Sequence, residues 1–228
     1  MIQEQSFNTD EFRPKPLIHV SESRDQLFVL TPWGDPEGAK IALEAIQNYL
    51  LSLDSDEEVT APIPLLANLS ATENHLRAAI ILGSEQVYNQ KNSLQYTSGF
   101  EIFAAIRKGH EIAYVQVGHP LPFLVSNDGE LIQIGINENH NIPIPSHHEH
   151  LHPPMAKRLL GIESNSQVMA HSFKAKDSIQ IVLLSHDLPG SALATMGMKF
   201  TSFENLVDHL SQTPFKTPFW AGYFLSDQ

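Results

Sequence analysis

Five histidines, His140, His147, His148, His150 and His152, fall in one segment that ends SHHEHLHPP. Imidazole suits Zn²⁺, Ni²⁺ or Cu²⁺, so His147, His148, His150 and His152 are the residues a transition-metal site would draw on. The segment is flanked by prolines and lacks the i,i+4 spacing of H-E-x-x-H on a helix. An exposed loop whose histidines gain charge at low pH is the simpler account. His186 beside Asp187 has the composition of an acid–base pair, but neighbours on a strand point to opposite faces. Asp35-Pro36-Glu37 reads as a helix start, with Asp as N-cap and Pro at the first helical position, rather than as a ligand group. The chain has no cysteine, which excludes disulfides, zinc–thiolate sites and cysteine nucleophiles. It has no G-x-S-x-G elbow for a serine hydrolase and no glycine-rich loop between strand and helix for a nucleotide.

The elements that must position these groups are organised around Gly99–Gly135. Four short apolar runs, 100–106, 112–117, 121–125 and 131–134, are separated by Lys108-Gly109, Gly118-His119-Pro120 and Asn127-Asp128-Gly129. Their lengths and their β-branched and aromatic content predict an antiparallel meander, with Asp-Gly forming a type I′ turn. Both faces of these strands are apolar, so each must be covered. Before them come an extended arm or edge strand over 1–16 and strands at 17–20 and 27–31. Helices follow over 36–52 and 71–89, the second opened by the capping box Ser70-Ala71-Thr72-Glu73. After the meander the reading gives a short helix about 154–160 and strands near 167–173 and 178–184. A helix from Thr201-Ser202-Phe203-Glu204 to Ser211 and a strand over 219–225 complete it. This order predicts an α+β fold, a four-layer α/β/β/α sandwich of two antiparallel sheets flanked by helices, as a single domain over 1–228.

A chain of 228 residues with 42% hydrophobic content can bury a sizeable core, and no apolar run reaches the about 20 residues that span a bilayer. The start, MIQEQSFNTDEF, lacks the basic and apolar segments of a signal peptide, so a cytoplasmic location is expected. The net charge of −12 argues against nucleic acid or a membrane as partner, since both call for clustered Lys and Arg.

Several motifs, in order along nearly the whole chain, resemble the metal-dependent, PPM-type (type 2C) protein serine/threonine phosphatases. Asn8-Thr9-Asp10-Glu11-Phe12 is similar to that family's N-E-D-S-F, and Leu27-Phe28-Val29-Leu30 followed by a helix is similar to its L-F-V-V-A-D-G-M-G-G. Val117-Gly118 sits where the family has V-A-N-V-G-D. His152-Pro153 with Arg158-Leu159-Leu160-Gly161 is similar to H-P…R-A-L-G, and Val182-Leu183-Leu184-Ser185-His186-Asp187 to L-L-C-S-D-G. Gly118-His119-Pro120 resembles the A-G-H-P-P of the sporulation and sigma-factor-regulator branch. The resemblance implies phosphomonoester hydrolysis by a pair of Mg²⁺ or Mn²⁺ ions held by carboxylates.

The chain departs from the family where the ions would sit. Pro32 and Trp33 stand in place of the bridging aspartate and the following glycine, and Thr217-Pro218-Phe219-Trp220 in place of the closing D-N-x-T. Gln5 stands about where a phosphate-holding arginine is expected, and Leu188 follows Asp187 in place of glycine. Asp10 and Asp187 are then vestigial metal-site positions, and Asn8, Pro32, Trp33, His119, His186 and Trp220 line a degenerate active-site rim. The resemblance with these replacements implies a pseudophosphatase: a regulatory or protein-binding module with no cofactor, whose two tryptophans offer a contact surface to a protein partner. The alternatives are an active phosphoprotein phosphatase with Mg²⁺ or Mn²⁺ in an atypical site, and transition-metal binding through the histidine segment.

Overall fold

The computed structural model describes residues 2–7, 15–55, 63–135, 156, 158–175, 177–185, 199–212 and 219–226. In chain order the elements are β1 (Ile2–Phe7), β2 (Leu17–Val20), β3 (Gln26–Gly34), α1 (Glu37–Ser55), α2 (Ala71–Val87), β4 (Ser98–Lys108) and β5 (Glu111–Val117). Then come β6 (Leu121–Val125), β7 (Leu131–Gln133), β8 (Ala170–Lys174), β9 (Gln180–Leu184), α3 (Phe203–Ser211) and β10 (Phe219–Leu225). They form two antiparallel five-stranded sheets, in the orders β2-β3-β4-β5-β8 and β1-β10-β9-β6-β7, and the fold is α+β. The chain divides into two compact units, each built on one sheet.

The unit of Pro14–Val117 and Arg158–Lys176 carries α1 and α2 side by side on one face of its sheet. The predicted stripe of α2, Leu76, Ala79, Ile80, Gly83 and Val87, is buried throughout, as are Ala42, Ile46, Tyr49 and Leu50 of α1. They meet Phe28, Leu30, Ile102, Ala104, Ala113 and Val115 from the strands. Each fully buried aliphatic or aromatic side chain contributes about 1.5–3 kcal/mol relative to exposure, far more than helix propensity supplies. On the other face Leu27, Val29 and Phe103 are also fully buried, which agrees with the two-sided apolar pattern. Ser70 and Glu73 form the expected reciprocal capping box, and Asp35 Oδ1 accepts the Glu37 N–H at 3.0 Å as a helix cap. Past Val87 the helix runs into a π-turn over Tyr88–Asn92.

Two imidazoles in this unit contribute to its pH response. His19 of the edge strand β2 stacks on Phe28, and the Gln47 amide nitrogen lies 3.2 and 3.1 Å from its two ring nitrogens. Burial holds His19 below the usual imidazole range, and burial, then the Lys108 ammonium, does the same for His75. With both folded pKa values depressed, the unfolded chain takes up protons first. The stability tied to their neutral forms is full above about pH 6.5 and is lost as pH falls through that value towards the folded pKa. The urea midpoint is therefore expected to be lower at about pH 5.5 than at about pH 7.5. That drop should shrink in a His19→Leu, His75→Leu double variant.

In the unit of Met1–Arg13, Gly118–Lys157 and Asp177–Gln228, α3 packs on one face of the sheet. Phe203, Leu206, Val207 and Leu210 meet Leu121, Phe123, Val182, Leu184, Phe219 and Ala221. Ser202, one residue later than the sequence suggests, is the N-cap of α3 and accepts the Asn205 N–H. The amino-terminal arm is the edge strand β1, paired with β10 from Ile2↔Phe224 to Phe7↔Phe219.

The expected meander is two hairpins in two sheets. β4 pairs with β5 and β6 with β7, but β5 and β6 are not neighbours. Gly118, at φ 68°, and the cis His119-Pro120 bond turn the chain from one sheet into the other. The Asp-Gly turn is not type I′ either. Asp128 keeps a negative φ and only Gly129 is positive, at 80°, with the Gly129 N–H donating to Ser126 C=O. This is a type I turn followed by a left-handed glycine, the three-residue hairpin solution. The helix expected about 154–160 is also absent from its described part: Leu160 exchanges both backbone hydrogen bonds with Phe100. Extended pairing to the end of β4 competes successfully with a short helix that has little to bury.

Candidate functional site

β3 runs straight into the position where the resemblance calls for a bridging aspartate. Its last residues pair as Thr31↔Glu101, Pro32↔Phe100, Trp33↔Gly99 and Gly34↔Ser98. Residues opposite each other share a face. Trp33 and Glu101 therefore lie on the face of Leu27, Val29 and Phe103, while Pro32 is buried on the face of Leu30 and the helices. The Trp33 indole N–H donates to Glu101 Oε2 at 2.8 Å, along the diagonal of the strand pair. Trp33 is half-buried, whereas Glu101 is 0% exposed. Glu101 does not stand out in the sequence because it lies inside an apolar run. The signal was there all the same: one acidic residue in GFEIFAAI must have donors waiting for it.

The connection after β3 is tied down at several points. The Asp35 N–H donates to Thr97 C=O at 2.9 Å, Ser98 Oγ donates to Asp35 C=O at 2.7 Å, and the Lys91 ammonium pairs with the Asp35 carboxylate at 2.9 Å. The Glu37 N–H first, and the Lys91 hydrogen bond next, hold the Asp35 carboxyl below the usual carboxylate range. Asp35 is thus a cap, as its context predicts, and in addition an ion-pair partner of Lys91. On the loop entering β4, Leu94 is 100% and Tyr96 75% exposed.

The other unit gathers His119, Ser185 and Trp220 at one end of its sheet. The row Leu121↔Leu184↔Ala221 fixes this, with His119 just before β6, Ser185 just after β9 and Trp220 beside Ala221. Phe7 and Ser185, the last described residues before Asn8 and His186, stand at this same end. His119 is buried, at 1% exposure. Trp220 is 2% exposed, and its indole N–H donates to Glu4 Oε2 at 3.1 Å. Its backbone N–H donates to Ser185 Oγ at 3.0 Å and its C=O accepts the Ser185 N–H at 2.9 Å. The ring is interior, so Trp220 is not the contact surface the sequence suggested. Asn8, Asp10, His186, Asp187, His147, His148, His150, His152 and Pro218 lie outside the described residues.

Among the described residues no group of three or more His, Asp or Glu side chains converges as a metal site would. The end of β3 fits an ion poorly on its own chemistry. A hard divalent ion needs several oxygen lone pairs within a few ångströms, whereas proline offers no ligand there and the indole presents a proton to the buried Glu101 carboxylate.

The architecture is that of the PPM-type serine/threonine phosphatases. The Mycobacterium tuberculosis serine/threonine phosphatase PstP/Ppp superposes with a TM-score of 0.65 at 15% identity, over 100% of this chain and 98% of that one. The PstP catalytic domain in complex with two manganese ions gives 0.60 at 16%, over 100% and 98%. The PPM phosphatase MsPP of Mycobacterium smegmatis, in complex with cacodylate, gives 0.61 at 13%, over 98% and 96%. Identities this low show the fold alone. No protein-family model and no curated protein sequence matches the chain. Among the described residues no helix is long and apolar enough to cross a membrane.

Proposed function

We propose that this chain is a pseudophosphatase, a protein with the PPM fold that acts by binding a protein partner rather than by hydrolysing phosphoesters. What supports this reading is the end of β3: the resemblance expects a bridging aspartate and a glycine where Pro32 and Trp33 stand, and the Trp33 indole is hydrogen-bonded to buried Glu101. Catalysis by a metal pair depends on carboxylate oxygens clamping both ions, and a donor N–H there opposes that role. The exposed Leu94 and Tyr96, on the loop whose Thr97 pairs with Asp35, supply apolar surface of the kind partners use. On this reading Asp10 and Asp187 are remnants, and neither Mg²⁺ nor Mn²⁺ is required.

The test is hydrolysis of p-nitrophenyl phosphate with excess Mn²⁺. The purified protein is expected to be no faster than its Asp10→Ala, Asp187→Ala double variant. A rate that depends on Asp10 would instead assign an active phosphatase with an atypical metal site.

A further inference from the structure

An edge strand carries a row of backbone N–H and C=O groups that its own sheet does not use. Among the described residues β8 has one neighbour, β5, and so forms an edge of its sheet. The register shows which groups are left over. The Ala175 N–H donates to His110 C=O at 2.9 Å, so these two form a hydrogen-bonded pair just beyond Glu111↔Lys174. Such pairs recur at every second residue of an antiparallel ladder. Phe173↔Ile112 and His171↔Tyr114 are therefore hydrogen-bonded pairs, and the backbone groups of Ala170, Ser172 and Lys174 point away from β5. Arg77 Nε, which donates to Val168 C=O at 3.2 Å, occupies the position before them. The side chains along this edge are open as well: Met169 is 57% exposed, His171, Ser172 and Lys174 are exposed, and Phe173 is half-buried.

The other edges suit a second strand less. The Ser21 N–H donates to Gln26 C=O, and the same alternation then turns only the groups of Ile18 and Val20 outward from β2. β7 has three residues, and Glu130 just before it is already bridged to Lys199. β1 paired with its own copy would bring two Glu4 side chains together in the middle of a polar strand, where like charges repel.

We propose that β8 is the surface through which a second copy of this chain pairs, antiparallel and about a two-fold axis at Ser172, so that one sheet runs through both copies. The proposal goes beyond the pseudophosphatase reading and is independent of it. A two-fold axis requires a self-complementary patch, and an edge strand is one, since its donors and acceptors meet the same set reversed. In this register Ser172 faces its own counterpart and exchanges two hydrogen bonds with it, Ala170 faces Lys174, and His171 faces Phe173. The lysine thus meets an alanine rather than a like charge. The His171–Phe173 pairs set aromatic rings together on the face where the His171 and Tyr114 ring centroids are already 5.6 Å apart. A five-residue strand pair lies at the small end of interfaces, below about 1,200 Å² in total, so the association is weak and depends on concentration.

Sedimentation velocity tests this in about 0.15 M salt, which screens the repulsion between chains of net charge −12. The wild-type mass is expected to rise from one chain toward two between about 5 and about 500 µM. Ser172→Pro removes an N–H that points away from β5, so the fold keeps its own ladder while the ring blocks the central pair. It is expected to stay at the mass of one chain throughout, with unchanged circular dichroism. Ser172→Lys and Ser172→Glu each set like charges opposite each other and are expected to be monomeric alone. Mixed, they should regain the mass of two chains, which a merely structural effect of either substitution would not produce. Should Ser172→Pro not fold, the two charged variants decide. The proposal is overturned if the wild type stays at one chain across the range, which would leave the edge to a strand of another protein. It is also overturned if folded Ser172→Pro or Ser172→Lys associates as the wild type does, or if the mixture gains nothing over its components.

Discussion

Replacing Asn92 by alanine is expected to lower the unfolding free energy by about 3–4 kcal/mol, a large share of the 5–15 kcal/mol typical of a folded domain. Asn92 closes the π-turn after α2 and is 3% exposed. Its amide nitrogen donates to Ser98 C=O at 2.5 Å and Gly161 C=O at 2.6 Å, and its oxygen accepts from Thr97 N–H at 2.7 Å and Ser98 N–H at 3.1 Å. Both donors and both lone pairs of the side chain are used. Alanine removes all four bonds and strands backbone groups that hold the entry of β4 to the segment at Gly161. Next to it Ser84 Oγ accepts the Gly161 N–H at 2.8 Å and shares a hydrogen with Ser166 Oγ at 2.7 Å, so water has little room to replace the lost partners. Asn92→Asp should be at least as damaging, since a carboxylate would face two carbonyl oxygens. Urea unfolding reads the loss directly. A change below about 1 kcal/mol would mean that the loop rehydrates and that Asn92 does not anchor it.

This anchor was invisible in the sequence, and the reason separates what could be read from what could not. Helix starts are local: Asp35-Pro36-Glu37 and Ser70-x-x-Glu73 specify caps through atoms within a few residues of each other, and both form as written. Strand lengths are nearly as local, and the apolar runs about β4 to β7 fall close to the observed strands. Which strand pairs with which is not local. Gly118-His119-Pro120 looks like one more hairpin turn, yet it carries the chain into another sheet. Asn92 belongs with these non-local features, because three of its partners lie on backbone within six residues but Gly161 lies sixty-nine away.

The candidate site divides in the same manner. Pro32 and Trp33 stood out because a motif predicted other residue types at their positions. Glu101 and Glu4 did not, because the indoles that select them come from other strands, Trp33 across the β3–β4 pair and Trp220 across the β1–β10 pair. In each unit a tryptophan N–H is committed to a glutamate oxygen, and that pairing is the chemistry the sequence alone withheld. It also decides what each tryptophan can do. Trp33 remains half exposed, whereas Trp220 is spent on the interior.

Placing a methyl group at Gly222 is expected to dislodge Trp220 and to destabilise the protein by about 2–4 kcal/mol. A Cβ there would stand 2.6 Å from Trp220 Cη2 and 3.0 Å from Cζ2, so the indole lies flat along its own strand over the glycine. These atoms belong to a rigid ring that is 2% exposed, and the ring cannot yield by a simple rotation at its tip. If the ring moves, the hydrogen bond to Glu4 Oε2 goes with it, and strain passes to the Trp220 backbone, whose two hydrogen bonds to Ser185 fix the residue from which the chain leaves for His186 and Asp187. The chain has two tryptophans, so emission reports the change: Gly222→Ala should shift the fluorescence to longer wavelength as the indole becomes hydrated, with a lowered urea midpoint. Combining Gly222→Ala with Trp220→Phe removes the atoms that clash, so the double variant should lose less stability than the sum of the two single ones. Strict additivity, or a Gly222→Ala protein with unchanged emission and midpoint, would show that the strand accommodates the methyl without moving the ring.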